Sequence, residues 1–221
     1  MAWKAEATKM STLFPMFLKL DGKRCLVVGA GNVGAPKIMR LAETGARVQV
    51  VALQAREEIR ELAREGKITL ELRAFEANDL DGTILAVVAT ASPVVNHTIY
   101  LEAQRRGVLC NVVDVPELCD FYYPAVVQRG DLQIAISTNG QSPSLAQKLR
   151  QQLEKQFGAG YARWVAELGT TRKLVLGSSL NPERKNELLH SLASREAFEA
   201  ALAAATEINE NNENEDRRVT A

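Results

Sequence analysis

An α/β domain built on a parallel sheet, followed by a β-hairpin and then by helices, is predicted by three observations. Short apolar runs alternate with helically spaced segments from residue 24 to about residue 114. A glycine-rich turn stands between the first run and the first helix. Beyond residue 121 the alternation stops, and a strand–turn–strand pattern gives way to helical periodicity. Strand–helix alternation with short connections means a parallel sheet with helices on both faces.

The elements follow in order. Residues 1–10 read as an unstructured lead, and 12–20 as an extended edge piece ending at the Asp21-Gly22 turn. Arg24 to Val28 is a nearly continuous apolar run, as a strand buried on both faces requires. Residues 32–43 carry helical spacing at Val33, Ile38, Met39 and Leu41, with Pro36 in the first turn and Gly45 as the stop. Val48 to Ala52 is the second strand. Residues 55–65 form a charged helix with Ile59, Leu62 and Ala63 on one face, ended by Gly66. Ile68 to Leu72 alternates like an outer strand, Thr83 to Ala89 is a fourth strand, Pro93 to Arg106 a helix and Val108 to Val113 a fifth strand. Tyr123 to Val127, a turn at Arg129-Gly130-Asp131, and Leu132 to Ile136 form the hairpin. A polar loop, Ser137 to Gln141, leads to a helix capped by Ser142 and running to about Phe157. Two more helices cover 160–177 and 182–205, with Trp164, Leu168, Leu174 and Leu176 packing a core. From Glu207 onward Asn and Glu dominate and periodicity is lost, which predicts a disordered tail.

Composition excludes several classes. The 27 basic residues balance 27 acidic ones, so no basic excess points to nucleic acid. Three cysteines without a C-x-x-C pair, and only two histidines, argue against a dedicated metal site. Leu13 to Leu20 is short and interrupted by Pro15 and Lys19, unlike a signal peptide. No stretch approaches the roughly 20 apolar residues that span a bilayer. A cytoplasmic protein with no membrane partner is expected.

Gly29-Ala30-Gly31-Asn32-Val33-Gly34 matches G-x-G-x-x-G in its required context, after a strand and opening a helix. The first Gly permits the tight turn, the second lets backbone approach a pyrophosphate, and the third lets helix and strand pack closely. Amides at the helix start then face the anion, and the helix dipole adds to the attraction. A Rossmann-type site for a nicotinamide dinucleotide is the expectation. The acidic residue usually found about 20 residues later, on the ribose, is missing. The second strand ends Val50-Val51-Ala52-Leu53-Gln54. Gln54, or backbone at Leu53, takes that role, while nearby Arg56 leaves NADP open beside the favoured NAD. Thr90-Ala91-Ser92 follows the fourth strand. It either lets the nicotinamide lie against the sheet or simply caps the helix that Pro93 opens.

Four blocks carry a more specific pattern. They are Phe14-Pro15 with Cys25 to Gly34 and Lys37, then Cys110 to Pro116, then Phe121 to Gly130, and finally Ile134 to Pro143. Over about residues 12–155 the chain resembles the precorrin-2 dehydrogenases, the dehydrogenase part of siroheme synthases. The resemblance implies oxidation of precorrin-2 to sirohydrochlorin with NAD in siroheme or cobalamin biosynthesis. It also implies, in some members, a sirohydrochlorin ferrochelatase activity with ferrous iron as substrate. The implied organisation is an NAD-binding Rossmann domain over 12–121, a dimerisation and substrate region over 122–150, a helical C-terminal domain over 151–206 and the tail at 207–221, assembled as an intertwined homodimer. The family's key aspartate falls on Asp114, its cofactor contacts on Asn32, Val33, Leu53 and Gln54, and its modifiable serine on Thr138, where this chain departs from the pattern. The length leaves no room for the methyltransferase fused in some members, so the substrate is expected from a separate enzyme.

Asp114 also stands out on position. It is read as ending a central strand on the cofactor side, where a carboxylate takes the proton lost with the hydride. The simpler alternative is a turn-forming Asp before Val115-Pro116. Ser137, Thr138, Asn139, Gly140 and Ser142 offer hydroxyls, an amide and free N–H groups at a helix start, which suits the carboxylates of a tetrapyrrole. Lys37, Arg129, Lys148 and Arg150 are candidate cations for the same groups, or else solvated surface charge. Two other functions fit the first domain: a dehydrogenase of another substrate, and a non-catalytic NAD-sensing module.

Overall fold

Strand residues of alternating parity feed two separate cores. A computed structural model of the chain describes residues 12–201 and 203. The chain divides into two compact units, one up to Tyr123 and one from Pro124. The first unit holds β1 (Arg24–Ala30), α1 (Ala35–Ala42), β2 (Arg47–Ala55), α2 (Glu57–Arg64), β3 (Thr69–Glu71), β4 (Leu85–Val88), α3 (Pro93–Arg106) and β5 (Leu109–Val112). The five strands make one parallel sheet in the order β3-β2-β1-β4-β5. Cys25 and Val27 of β1 pack with Ile38 and Leu41 of α1 and Ile59 of α2. Leu26 and Val28 point the other way, onto Ile99 and Ala103 of α3. Each fully buried Leu or Ile contributes roughly 1.5–3 kcal/mol, so the near-continuous apolar runs are what a sheet covered on both faces demands.

Between β3 and β4, Arg73 grips the buried carboxylate of Asp79 with two nitrogens at 2.6 and 2.9 Å. The Glu76 N–H adds a bond of 2.8 Å. Burial pushes the Asp79 carboxyl up, but the Arg73 bonds and the Glu76 N–H outweigh it and hold the group below its ordinary value.

Several elements depart from the sequence reading. Residues 12–20 join no sheet among the described residues: Pro15 lacks a donor, Phe14, Met16 and Phe17 are exposed, and only Leu20 is buried. β2 runs on to Ala55, because its register slips against β1 between Val28 and Ala30 and takes in extra residues. β5 is an edge strand, not a central one.

The second unit opens with the antiparallel pair β6 (Ala125–Arg129) and β7 (Leu132–Ile136). Its first strand starts after Pro124, two residues later than expected, since proline has no N–H for the ladder. α4 (Pro143–Gln156), α5 (Gly160–Gly177) and α6 (Pro182–Leu192) follow. Phe157, Tyr161, Trp164 and Phe198 form an aromatic cluster with centroids 4.2–5.6 Å apart. Leu174 and Leu176 do not join a core here; they are exposed, and Val175 between them is buried. The predicted helix over 182–205 is interrupted at Ala193-Ser194, where the Ser194 hydroxyl accepts the Ala197 N–H and starts a new helical turn. The expected lead at 1–10 and tail at 207–221 lie outside the described residues. Among the described residues no helix is long and apolar enough to cross a membrane.

Candidate functional site

Because the strands are parallel, their carboxyl ends share one rim. That rim collects the Gly29–Gly34 turn after β1, the end of β2, Thr90-Ala91-Ser92 after β4 and Asp114 after β5. Neighbours β1 and β4 connect to opposite sides of the sheet, the switch point where ligands of such sheets bind.

The turn is built for close approach. Gly29 has φ +103°, and a Cβ there would lie 2.4 Å from the Ala89 carbonyl oxygen. A Cβ on Gly34 would lie 2.1 Å from the Gly29 oxygen. Beside Gly31, by contrast, nothing stands within 4 Å. The Ala35 N–H already binds the Gly31 carbonyl at 2.9 Å. The N–H groups of Asn32, Val33 and Gly34 meet no backbone acceptor among the described residues. α1 has no side-chain cap and no acid in its first turn. An open face at Gly31 with unspent amides behind it fits a dinucleotide diphosphate.

Leu53 and Gln54 do not follow β2; they are its exposed penultimate residues, in the stretch where the register slips. The Arg56 N–H binds the Ala30 carbonyl at 3.2 Å. Its guanidinium donates to the Asn32 side-chain oxygen and to Glu58. From α2, Arg60 Nε donates to the Ala55 carbonyl at 3.2 Å.

After β4, the Thr90 hydroxyl donates to Asn96 Oδ1 at 2.5 Å and accepts the Ser92 N–H at 3.2 Å, while Asn96 Nδ2 returns to the Thr90 carbonyl at 3.2 Å. Asn96 is buried, and sequence reasoning missed it. A polar residue on the first turn of a helix facing a sheet was the available signal. Ser92 caps α3 by accepting the Val95 N–H. Ala91 is exposed between them.

Asp114 lies two residues beyond β5 with φ +63°. Val113 N–H still pairs with Val88 at 2.9 Å, and Val115 N–H turns back to Val112 at 3.2 Å. Asp and Asn tolerate this left-handed conformation better than other side chains. The carboxylate is exposed and holds no partner among the described residues. Turn former and rim carboxylate are therefore the same residue. Lys37, on α1, sets its ammonium 5.2 Å from the Tyr123 ring centre and pairs with no carboxylate among the described residues.

In the second unit, the loop before α4 corrects one expectation. Its amides are largely spent: Asn139 N–H on Ser137 Oγ at 3.1 Å, Gln141 N–H on the Thr138 carbonyl at 3.0 Å, Ser142 N–H on Thr138 Oγ1 at 3.1 Å and Leu145 N–H on Ser142 Oγ at 3.2 Å. Asn139 and Gly140 both adopt positive φ to close the loop. Arg129 is consumed as well: it donates to the carbonyls of Phe157, Glu154 and Gln128 and so caps α4. Arg150 pairs with Glu154. Lys148 has no such partner among the described residues.

Among the described residues no group of three His, Cys, Asp or Glu gathers to hold a metal. Burial pushes the thiols of Cys25 and Cys110 up, Cys110 to about 12.

A family model described as putative NAD(P)-binding matches residues 16–125, and one described as sirohaem biosynthesis protein central matches 129–156. The siroheme synthase of Methylococcus capsulatus is 39% identical over 197 residues, 87% of this chain and 41% of that protein. That of Azotobacter vinelandii is 41% identical over 149 residues, 67% of this chain and 32% of that protein. The chain thus spans about two fifths or less of these curated relatives' length. The solved structure of SirC, precorrin-2 dehydrogenase, superposes with a TM-score of 0.75 at 27% identity, covering 84% of this chain and 92% of that one. The chain belongs to the family of the siroheme synthases and the SirC precorrin-2 dehydrogenase.

Proposed function

We propose that the chain oxidises precorrin-2 to sirohydrochlorin with NAD, within siroheme (or cobalamin) biosynthesis. The observation that carries this is the likeness to SirC, which extends over nearly all of that enzyme and so beyond the dinucleotide-binding part. When bound, NAD supplies the hydride acceptor. The amides of Asn32, Val33 and Gly34 hold its diphosphate where Gly31 leaves room. Leu53 and Gln54 flank the adenosine ribose, and Thr90 and Ala91 border the nicotinamide side. Asp114 accepts the proton that leaves precorrin-2 with the hydride. Its open carboxylate supports that role.

Residues 12–121 serve the cofactor in this scheme, 122–150 the substrate and dimer contact, and 151–206 the helical cover. Lys37 and the hydroxyls of Ser137, Thr138 and Ser142, with Asn139 and Gly140, meet the substrate's carboxylates. Exposed Leu174, Leu176, Leu180 and Leu188 support a homodimer. Ferrous iron as a second substrate, inserted into the product, and a cytoplasmic location complete the proposal. Mixing protein, NAD and precorrin-2 while following NADH absorbance tests it. NADH formation in step with sirohydrochlorin is expected. Intact NADH binding without turnover would leave the sensing module standing instead. Sirohydrochlorin incubated with ferrous iron, with and without protein, tests the second reaction.

A further inference from the structure

We propose that Arg56 and Arg60 form a subsite for the 2′-phosphate of the adenosine ribose, so that the chain accepts NADP as well as NAD. The proposal rests on the reading that the first unit binds a nicotinamide dinucleotide.

In this fold the ribose lies between the glycine-rich turn and the end of the second strand, and a carboxylate there selects NAD by taking the 2′-hydroxyl. The same carboxylate repels a phosphate. Here residues 53–56 read Leu-Gln-Ala-Arg, with no carboxylate. A guanidinium stands in its place, tied to the turn twice. Arg56 N–H binds the Ala30 carbonyl at 3.2 Å, and the side chain reaches Asn32. Ala30 pairs with Ala55 in the sheet, and Arg60 Nε donates to the Ala55 carbonyl at 3.2 Å. One guanidinium, that of Arg60, thus sits at the last residue of β2, and the other, that of Arg56, reaches from the next residue to the glycine-rich turn.

Arg60 forms no ion pair among the described residues. Arg56 does pair with Glu58, but the two side chains are 47% and 41% exposed, and such a surface pair is worth little. A phosphate with close to two negative charges offers each planar fork a better partner. NAD still fits, since Gln54 can bond a ribose hydroxyl.

Titration with NADPH and with NADH, followed by nucleotide fluorescence, tests the subsite without needing turnover. Competition by adenosine 2′,5′-bisphosphate against AMP isolates the phosphate. The expected result is NADPH affinity within about tenfold of NADH or tighter, weakening with salt, and stronger competition by the bisphosphate. Arg56→Gln with Arg60→Gln should lower the NADPH-to-NADH affinity ratio roughly ten- to hundredfold, as loss of hydrogen bonds to a charged group does. NADH binding with NADPH more than a hundredfold weaker would overturn the subsite and leave the dinucleotide reading intact. An unchanged ratio in the double variant would also overturn it. Binding of neither nucleotide would overturn both.

Discussion

The helices α1 and α4 both begin with a proline in the first turn after a polar or glycine-rich loop, yet their starts are opposites. At α1 no side chain caps the helix, and the N–H groups of Asn32 to Gly34 find no backbone acceptor among the described residues. At α4 the hydroxyls of Ser137, Thr138 and Ser142 have already taken the amides. The first start is held open by glycines whose neighbours press against them. The second is closed by its own side chains. An anion meets ready donors at the first and must displace hydroxyls at the second. For the proposed carboxylate-rich substrate, the loop before α4 would therefore offer hydroxyl hydrogens and position more than free amides.

The largest expected break of this contrast comes from closing the α1 start. Gly34→Ala places a methyl 2.1 Å from a backbone oxygen, which nothing flexible relieves. NADH affinity should fall more than about a hundredfold, a loss of ~3 kcal/mol or more. Fluorescence titration, with circular dichroism to verify the fold, measures it.

Next is Asp114→Asn, which keeps a side-chain shape that φ +63° tolerates and removes the proposed base. Turnover should drop about 10²-fold or more with NADH affinity little changed. Asp114→Ala mixes this effect with backbone strain, so Asn is the cleaner variant.

A smaller effect separates binding from stability within the first unit. Asp79→Ala takes the buried partner from Arg73 and leaves it Glu71 alone. It should cost about 2 kcal/mol, below the usual range for breaking a buried pair because Arg73 keeps that second partner and is partly solvated. The pH dependence follows from the lowered Asp79 pKa. Its stabilisation is full above the unfolded value near ~3.9 and disappears as pH falls through the lower folded value. Thermal melts at acid pH should therefore converge for wild type and Asp79→Ala, and diverge toward neutrality. The smallest effect is Ser142→Ala, which removes the α4 cap and should lower the second unit's stability by ~1 kcal/mol in a denaturant melt.

What was legible in the sequence tracks what is local. Gly29 and Gly34 announced the turn because only glycine survives a backbone oxygen so near. The helix read from Pro93 to Arg106 has those bounds in α3. Strand rank is not local: nothing in Val108 to Val113 says that β5 forms the edge. The slip that carries β2 through Leu53 and Gln54 depends on β1, which lies some twenty residues away. Arg129 looked available for an anion because its partners, the carbonyls closing α4, are 25 and 28 residues away. The break at Ala193-Ser194 was readable: Ser194 is a good cap, but apolar spacing on either side hid it.

Amide hydrogen exchange with and without NAD tests the central claim most directly. The account predicts that NAD slows exchange in the Gly31–Ala35 stretch while leaving Ser137 to Leu145 at its own rate. Saturating NAD with no protection in the turn would contradict it.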